Sequence, residues 1–174
     1  MKKILVLVTV LALVAAMVVP MAVGAAASNT GSTTISGNIG ALIEVTPSTP
    51  TASMGVLTVG SDNQNSNLFP VNVKCNQDGW TLVANGANNG GSDPNLAYMT
   101  YNSKALGAAF QIYGVSAYTN VPAVGQPGLT LVTGTTITAT RDINIGCAQP
   151  VSFTDPATAV GGSYSIVITF TGTP

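Results

Sequence analysis

The sequence predicts an all-β protein in which an N-terminal signal peptide precedes one antiparallel β-sandwich. Beyond residue 27 the chain is rich in Thr, Val, Gly, Asn and Ser and poor in Lys, Glu and Leu, a mixture that favours strands over helices. Residues 164–171 place Tyr, Ile, Ile and Phe on one face and Ser, Val, Thr and Thr on the other, which is the period-two pattern of a half-buried strand. Many short strand candidates at regular spacing favour a sandwich. One sheet closed on itself is the alternative.

The N-terminus has the anatomy of a secretory signal peptide. Lys2 and Lys3 precede an apolar run at residues 4–19, Pro20 ends it, and three alanines follow at 25–27. The alternative is an uncleaved membrane anchor, but about 16 apolar residues fall short of the ~20 that a spanning helix needs. We therefore predict a signal peptide at 1–27, a flexible N-terminal segment at 28–34 and a single β-sandwich domain at 35–174.

The strand candidates are short and are separated by turn residues. In chain order they are residues 33–39, 41–46, 56–59, 69–75, 80–85, 96–101, 109–113, 129–132, 135–140, 143–147 and 164–171. The turn at 76–79 is expected to close a hairpin, because Gly79 supplies a positive φ. Arg141 and Asp142 lie between two candidates and are expected on the surface, and the pattern allows one helical turn at 105–109. Loops rich in Pro, Gly or Asn are expected at 47–50, 85–95 and 121–128.

The charged residues exclude several classes of protein. The chain has five Lys and Arg, six Asp and Glu and no His. Removal of Lys2 and Lys3 with the signal peptide leaves three cations, too few for a nucleic-acid-binding surface. Without His, and with Glu44 as the lone Glu, the acid–base groups of most enzymes are missing. We predict a protein that is not an enzyme, takes no cofactor or metal, binds no nucleic acid and is secreted or held at the cell surface, with no transmembrane segment after signal cleavage.

Cys75 and Cys147 are the two cysteines of the chain. In an exported protein without His, a cysteine pair favours a disulfide over a metal site. The bridge between Cys75 and Cys147 would stabilise the fold by roughly 4 kcal/mol through loop closure. Two free buried thiols are the alternative.

Trp80 is the one Trp, at the start of a strand directly after the predicted hairpin turn. An exposed Trp80 would be a contact residue for sugar or polymer, whereas a buried Trp80 would fill the core on the same face as Leu82. The core position is the favoured interpretation, because a sandwich of this size needs a few large buried side chains.

Polar clusters and tyrosines are the remaining candidates for contact. The runs 62–67 and 88–93 each gather oxygen ligands that Ca²⁺ could use, but each holds one carboxylate, so solvated turns are favoured over a metal site. Tyr98 and Tyr101 lie an odd number of residues apart and face opposite ways on a strand, so they form no common platform. The other tyrosines are Tyr113, Tyr118 and Tyr164.

Two stretches resemble WxL-type cell-surface domains. Residues 68–73, followed after a turn by Gly79-Trp80-Thr81-Leu82, are similar to the first motif of those domains, and residues 151–171 are similar to their C-terminal strand. Those domains carry a second Trp-x-Leu in that strand, where this chain has Phe170-Thr171-Gly172.

A second resemblance covers the opening strands. Residues 43–47, 54–57 and 71–75 are similar to those of secreted pilus-subunit-like and coat-protein β-sandwiches. Together the two resemblances span most of the chain beyond the signal peptide. They imply an immunoglobulin-like antiparallel β-sandwich at the cell surface, attached without a covalent bond to the wall or to a partner.

Three hypotheses for function follow. The first is a secreted, non-enzymatic structural or adhesion module whose partner is a cell envelope polymer, a surface protein or a further copy of itself through strand addition at a sheet edge. The second is a subunit of an extracellular filament, in which residues 28–34 complete the sheet of the next copy. The third is a carbohydrate-binding, lectin-like module that uses an exposed Tyr or Trp80.

Overall fold

Alternating side chains of Thr, Val and Ile give this chain strands rather than helices. The structure is a computed structural model that describes residues 36–37, 39–135 and 137–174. Residues 39–174 form one compact unit, and of the unit that precedes it the described residues are Ser36 and Gly37, both exposed. The predicted signal peptide at 1–27 and the N-terminal segment at 28–34 lie outside the described residues. The described part contains no helix that could cross a membrane.

Ten strands follow one another along the described residues. They are β1 (Ile43–Pro47), β2 (Gln64–Cys75), β3 (Thr81–Gly86), β4 (Thr100–Tyr101), β5 (Lys104–Ala105), β6 (Gln111–Tyr113), β7 (Tyr118–Asn120), β8 (Leu129–Thr133), β9 (Ile137–Ala148) and β10 (Ile168–Thr173). All pairings between these strands are antiparallel.

Two sheets form the layers of the sandwich. The larger has five strands in the order β1-β2-β9-β6-β7, and the smaller has three in the order β10-β3-β8. The hairpin β4-β5 stands beside them. The last strand, β10, pairs with β3, so the first and last strands, β1 and β10, lie in different sheets.

The core lies between the inner faces of the two sheets. Strand β3 alternates between half-buried and fully buried residues, as expected of a strand with one face on a core. The buried cluster draws on both layers and includes Val71, Val73, Ile112, Ile145, Cys75 and Cys147 from the large sheet and Leu82, Ala84 and Leu131 from the small one. The predicted all-β antiparallel β-sandwich is confirmed.

Several predicted elements differ from the structure. Residues 56–59 form a loop and not a strand, because Gly55 and Gly60 adopt positive φ angles of 76° and 78° and turn the chain at both ends. The two candidates at 135–140 and 143–147 are one strand, β9, which runs through Arg141 and Asp142.

The predicted helical turn at 105–109 is also absent. Lys104 and Ala105 pair with Tyr101 and Thr100 as a small hairpin, with Asn102 and Ser103 at positive φ in the turn. The backbone N–H of Leu106 then donates to the carbonyl oxygen of Met99 at 3.0 Å, which extends the pairing instead of starting a helix.

The predicted strand at 33–39 does not form in its described residues. Ser36, Gly37 and Ile39 have no strand conformation, and Ile39 is 86% exposed. Pairing with β2 begins at Ile43, which lies opposite Cys75. The alternating pattern of this segment therefore has no partner strand among the described residues.

Candidate functional site

The two cysteines are far apart, which corrects the predicted disulfide. In the β2–β9 register Cys75 lies opposite Ile137, whereas Cys147 lies opposite Asn65 at the other end of β2. Ten residues of β9 separate Ile137 from Cys147, which is about 30 Å at ~3.3 Å per residue. A disulfide needs Cα atoms within about 7 Å. Both thiols are free and buried, so the bridge prediction is wrong and the two cysteines act as small apolar core residues.

The environment of Cys147 keeps its thiol protonated. Its side chain is 2% exposed in the core cluster. Burial raises the pKa of Cys147 from 9.0 to about 12, because the thiolate would lose its hydration. Since the thiolate is the reactive form, Cys147 is chemically inert in the folded protein.

Trp80 is a fully buried core residue and presents no surface for a ligand. Its ring packs on the backbone of Gly134, where a Cβ atom would lie 2.1 Å from Cζ2 of the indole. The indole Nε1–H donates to the carbonyl oxygen of Thr135 at 2.8 Å. Residue 134 must therefore lack a side chain for the indole to reach this position.

The polar run at 62–67 is built into the fold by Asn63. The side-chain Nδ2 of Asn63 donates to the carbonyl oxygens of Thr58, Ser61 and Gln149, each at 3.0 Å. Its Oδ1 accepts from the N–H of Thr58 at 2.6 Å. With φ at 45°, Asn63 also occupies the left-handed region that Asn tolerates better than most residues. Its amide closes the loop 58–63 and is not available to a metal.

The second polar run, at 88–93, is closed in the same way. Nδ2 of Asn88 donates to the carbonyl oxygens of Asp93 and Leu96 at 2.9 and 2.8 Å. Asn89 donates to the carbonyl oxygen of Tyr98 at 3.1 Å. The carboxylate of Asp93 accepts from the N–H of Asn95 at 2.8 Å. These side chains hold the loop, and among the described residues no group of three metal-ligating Cys, Asp or Glu side chains comes together.

Tyr98 and Tyr164 are structural as well. The Tyr98 ring is 3% exposed and covers Gly91, where a Cβ would lie 2.0 Å from its Cδ2. The hydroxyl of Tyr164 donates to the carbonyl oxygen of Pro156 at 2.5 Å. Burial, together with the charge of Asp155, raises the pKa of Tyr164.

An aromatic and amide patch lies on the β6–β7 hairpin. Tyr113 and Tyr118 are cross-strand neighbours whose rings meet edge to face with centroids 5.3 Å apart, and Tyr113 is 48% exposed. Two positions along the strands, Nε2 of Gln111 donates to Oδ1 of Asn120 at 3.0 Å. Desolvation, with repulsion from Cys147 and Tyr113, raises the pKa of Tyr118. We call these four residues the hairpin patch.

A shallow polar depression lies where β1, β2 and β9 meet. Glu44 stands directly opposite Lys74, and Thr46 opposite Asn72. These four residues and Thr140 line the depression. It contains no aromatic side chain and is open to solvent, so it offers little surface to a small ligand.

The last strand, β10, is an edge whose inward side chains are incompletely covered. Ile168, Phe170 and Gly172 are half-buried, whereas the inward residues of β3, the central strand of the small sheet, are fully buried. Across the sandwich, Phe170 meets Phe69 edge to face at 5.9 Å. The inward residues of β1, which is the edge of the other sheet, are half-buried too. Among the described residues, no further strand covers this side of the sandwich.

The backbone of β10 pairs with β3 on one side, and on its other side it has no partner among the described residues. The N–H of Ala87 donates to the carbonyl oxygen of Val167 at 3.0 Å, so odd-numbered residues of β10 direct their polar groups towards β3. The N–H and C=O groups of Ile168, Phe170 and Gly172 therefore point the other way, where no strand of the described residues pairs with β10.

Among the candidates taken from the sequence, the cysteines and Trp80 are buried in the core. The edge of β10 was not among the candidates. The period-two pattern of 164–171 was visible, but a pattern of side chains does not tell whether one or both edges of a strand are paired. The hairpin patch had a signal in Tyr113 and Tyr118, which are separated by the four residues of a short turn in which the N–H of Gly114 donates to the carbonyl oxygen of Ala117.

Comparison with known proteins adds no relative. No protein-family model, no curated protein and no solved structure matches the chain.

Proposed function

We propose that the protein is a secreted, non-enzymatic structural and adhesion module of the cell surface, which acts by contact with an envelope polymer, a surface protein or further copies of itself. The observation that carries this proposal is the outer edge of β10, which has no partner strand among the residues that the structure describes. A free row of backbone donors and acceptors binds another strand without any charged side chain. That mode of contact suits a chain with six Asp and Glu and five Lys and Arg in 174 residues.

The construction of the loops supports the proposal. The amides of Asn63 and Asn88 are engaged with the chain's own carbonyl oxygens, which gives ordered loops around the two sheets. Ordered loops lose little entropy when they bind a partner, and this favours a role in lasting contacts. The resemblance of the segment around Trp80 to WxL-type domains supports a place at the cell surface.

The location of the protein can be tested in cells that produce the full chain, and its lack of enzymatic activity can be tested with the purified protein. We expect the protein to lose residues 1–27 and to become accessible to an added protease on intact cells. The intact precursor inside the cells would contradict the proposed location. Turnover of a substrate by the purified protein would contradict a purely structural role.

The free edge favours one form of this role, a subunit of an extracellular filament assembled by strand addition. Negative-stain microscopy and sedimentation velocity of the mature protein test it. We expect chains of particles whose length grows with protein concentration. A single monomeric species at every concentration would contradict the filament, while leaving a surface module that binds other partners.

The hairpin patch supports a second candidate, a carbohydrate-binding module. A half-exposed Tyr113 beside the amides of Gln111 and Asn120 joins an apolar ring to hydrogen-bonding groups, the combination that a sugar ring needs. We expect Tyr113→Ala to abolish binding on a glycan array and Phe153→Ala, at an 89% exposed position elsewhere, to leave it unchanged. An array without signal for the unaltered protein would exclude this candidate.

A further inference from the structure

The residues before β1 carry a strand pattern, although their described members form no strand. From position 33 every second residue continues the inward set of β1, namely Thr33, Ile35, Gly37, Ile39 and Ala41 before Ile43 and Val45. Thr, Ser and Asn stand at the intervening positions 34, 36 and 38. Such alternation is typical of a strand with one buried face. The described residues of this segment nevertheless form no strand, and Ile39 is 86% exposed.

The side chain of Asn76 fixes the point from which this segment extends. Its Oδ1 accepts from the N–H of Leu42 at 2.7 Å, and its Nδ2 donates to the carbonyl oxygen of Gly40 at 2.9 Å. The backbone N–H of Asn76 also donates to the carbonyl oxygen of Leu42 at 3.2 Å. Residues 40–42 are thereby held at the end of β2, and the apolar side chain of Ile39 follows directly.

The edge of β10 has the properties of an acceptor for such a segment. Its six residues span about 20 Å, and the seven residues 33–39 span about 23 Å, at ~3.3 Å per residue. Neither β10 nor residues 33–42 contain a charged residue or a Pro, the two features with which natural edge strands prevent pairing. Ile168 and Phe170 of β10 are half-buried, which leaves apolar side-chain surface that an added strand could cover.

We infer that residues 33–39 of one copy pair with the free edge of β10 in a second copy, with Ile35 and Ile39 covering the half-buried side chains between β10 and β1. This inference rests on the proposed self-association and names the two surfaces that carry it. Gly172 packs directly against Ile43 and Val45 of β1, so β1 lies next to the edge that receives the segment. The donor differs from the segment 28–34 that the sequence suggested, because the alternating apolar residues begin beyond it.

Photo-cross-linking of the mature protein tests the pairing directly. Benzoylphenylalanine replaces Ile39, and this protein is mixed with unaltered protein that carries a heavy-isotope label. We expect cross-links from position 39 to the labelled copy within residues 164–174. Cross-links only within one chain, or to another part of the labelled copy, would overturn the inference. The same probe at Val160, which is fully exposed, is the control and should give no specific cross-link.

Point variants separate failure of this inference from failure of the proposed self-association. Ile39→Asp puts a charge where the inference needs an apolar contact, and its exposure means that the fold should be unaffected. We expect Ile39→Asp to stay monomeric in sedimentation velocity and Val160→Asp to assemble like the unaltered protein. Assembly of both variants would overturn the donor assignment but keep self-association, whereas an unaltered protein that remains monomeric would overturn both.

The acceptor side has a matched pair of variants. Thr171 on β10 and Thr130 on β8 are both exposed, and each lies opposite Val83 of the central strand β3. A Lys on an edge strand opposes the addition of a further strand. We expect Thr171→Lys to block assembly and Thr130→Lys, on the opposite edge of the same sheet, to permit it. The reverse result would move the acceptor to β8 and overturn the inference.

Discussion

Gly172 lies so close to Ile43 that a Cβ at position 172 would be 2.6 Å from Cδ1 of the isoleucine. The two residues belong to β10 and β1, the edge strands of different sheets. The absence of a side chain at 172 therefore sets how closely the two layers approach on this side of the sandwich. The same closeness brings the unpaired edge of β10 next to the half-buried inward face of β1.

The first prediction concerns this contact. We expect Gly172→Ala to destabilise the protein by about 1–3 kcal/mol, because the added methyl group must displace Ile43 and Val45. The free energy of unfolding in urea, followed by the fluorescence of Trp80, measures the effect. Gly40→Ala is the matched control, since a Cβ there meets no atom within 4 Å. Equal stabilities of the two variants would contradict the close packing of β10 on β1.

The second prediction concerns the thiols. Cys75 and Cys147 are buried at opposite ends of the β2–β9 pair. We therefore expect no reaction with a thiol reagent in the native protein, and two reactive thiols per chain after denaturation without reductant. Intact mass under the same conditions provides an independent check. A denatured chain with no reactive thiol would mean that the two sulfurs are bridged and that the β2–β9 register is wrong.

The third prediction is a loss of stability in alkali. The folded-state pKa of Cys147 is raised from 9.0 to about 12, so above pH 9 the unfolded chain releases a proton that the folded chain retains. The stability is thus complete below pH 9 and falls as the pH rises towards 12, with a limiting slope of about 1.4 kcal/mol per pH unit. The raised pKa values of Tyr118 and Tyr164 act in the same direction.

Urea titrations at a series of alkaline pH values measure this slope. Cys147→Ala removes the contribution of the thiol and also its part in raising the pKa of Tyr118, so we expect a shallower fall for this variant. Identical slopes for the two proteins would show that the thiol of Cys147 is not desolvated in the folded state.

The fourth prediction concerns the loop that Asn63 closes. Asn63→Asp keeps the size of the side chain but replaces the donor of three hydrogen bonds by an acceptor that faces carbonyl oxygens. We expect a loss of about 1–3 kcal/mol in the free energy of unfolding. Asn67→Asp adds the same charge at an exposed position of the same polar run and should be nearly neutral. A neutral Asn63→Asp would mean that its amide bonds contribute nothing to stability.

The sequence was a good guide to elements whose side chains alternate. The pattern from Tyr164 to Phe170 appears in the structure as alternating half-buried and exposed residues, and Gly79 has the predicted positive φ, 81°. The predicted hairpin at this turn is wrong, however, because the chain passes there from the large sheet to the small one and β2 does not pair with β3. The alternation and the positive φ are both local. They depend on the period of a strand and on the freedom of glycine, and neither needs knowledge of the partner strands.

The failures arose where pairing across the sheet decides the outcome. Cys75 and Cys147 lie on the neighbouring strands β2 and β9, yet the antiparallel register places them at opposite ends of the pair. Residues 56–59 resembled a strand, but the positive φ angles of Gly55 and Gly60 and the bonds between the Asn63 amide and Thr58 give a loop instead. The strand register depends on residues that are distant in the sequence, and side-chain-to-backbone hydrogen bonds compete with the pairing of strands. The composition of a segment predicts neither of them.

The most direct test of the account is amide hydrogen exchange along β10, measured by NMR in dilute and in concentrated protein. In dilute protein we expect slow exchange at Thr169 and Thr171, whose N–H groups point to β3, and fast exchange at Phe170 and Gly172, whose N–H groups point to the unpaired edge. Raising the concentration should slow the exchange of Phe170 and Gly172 as an added strand protects them. Equal protection of all four amides in dilute protein, or no change with concentration, would contradict the open edge on which the proposed function depends.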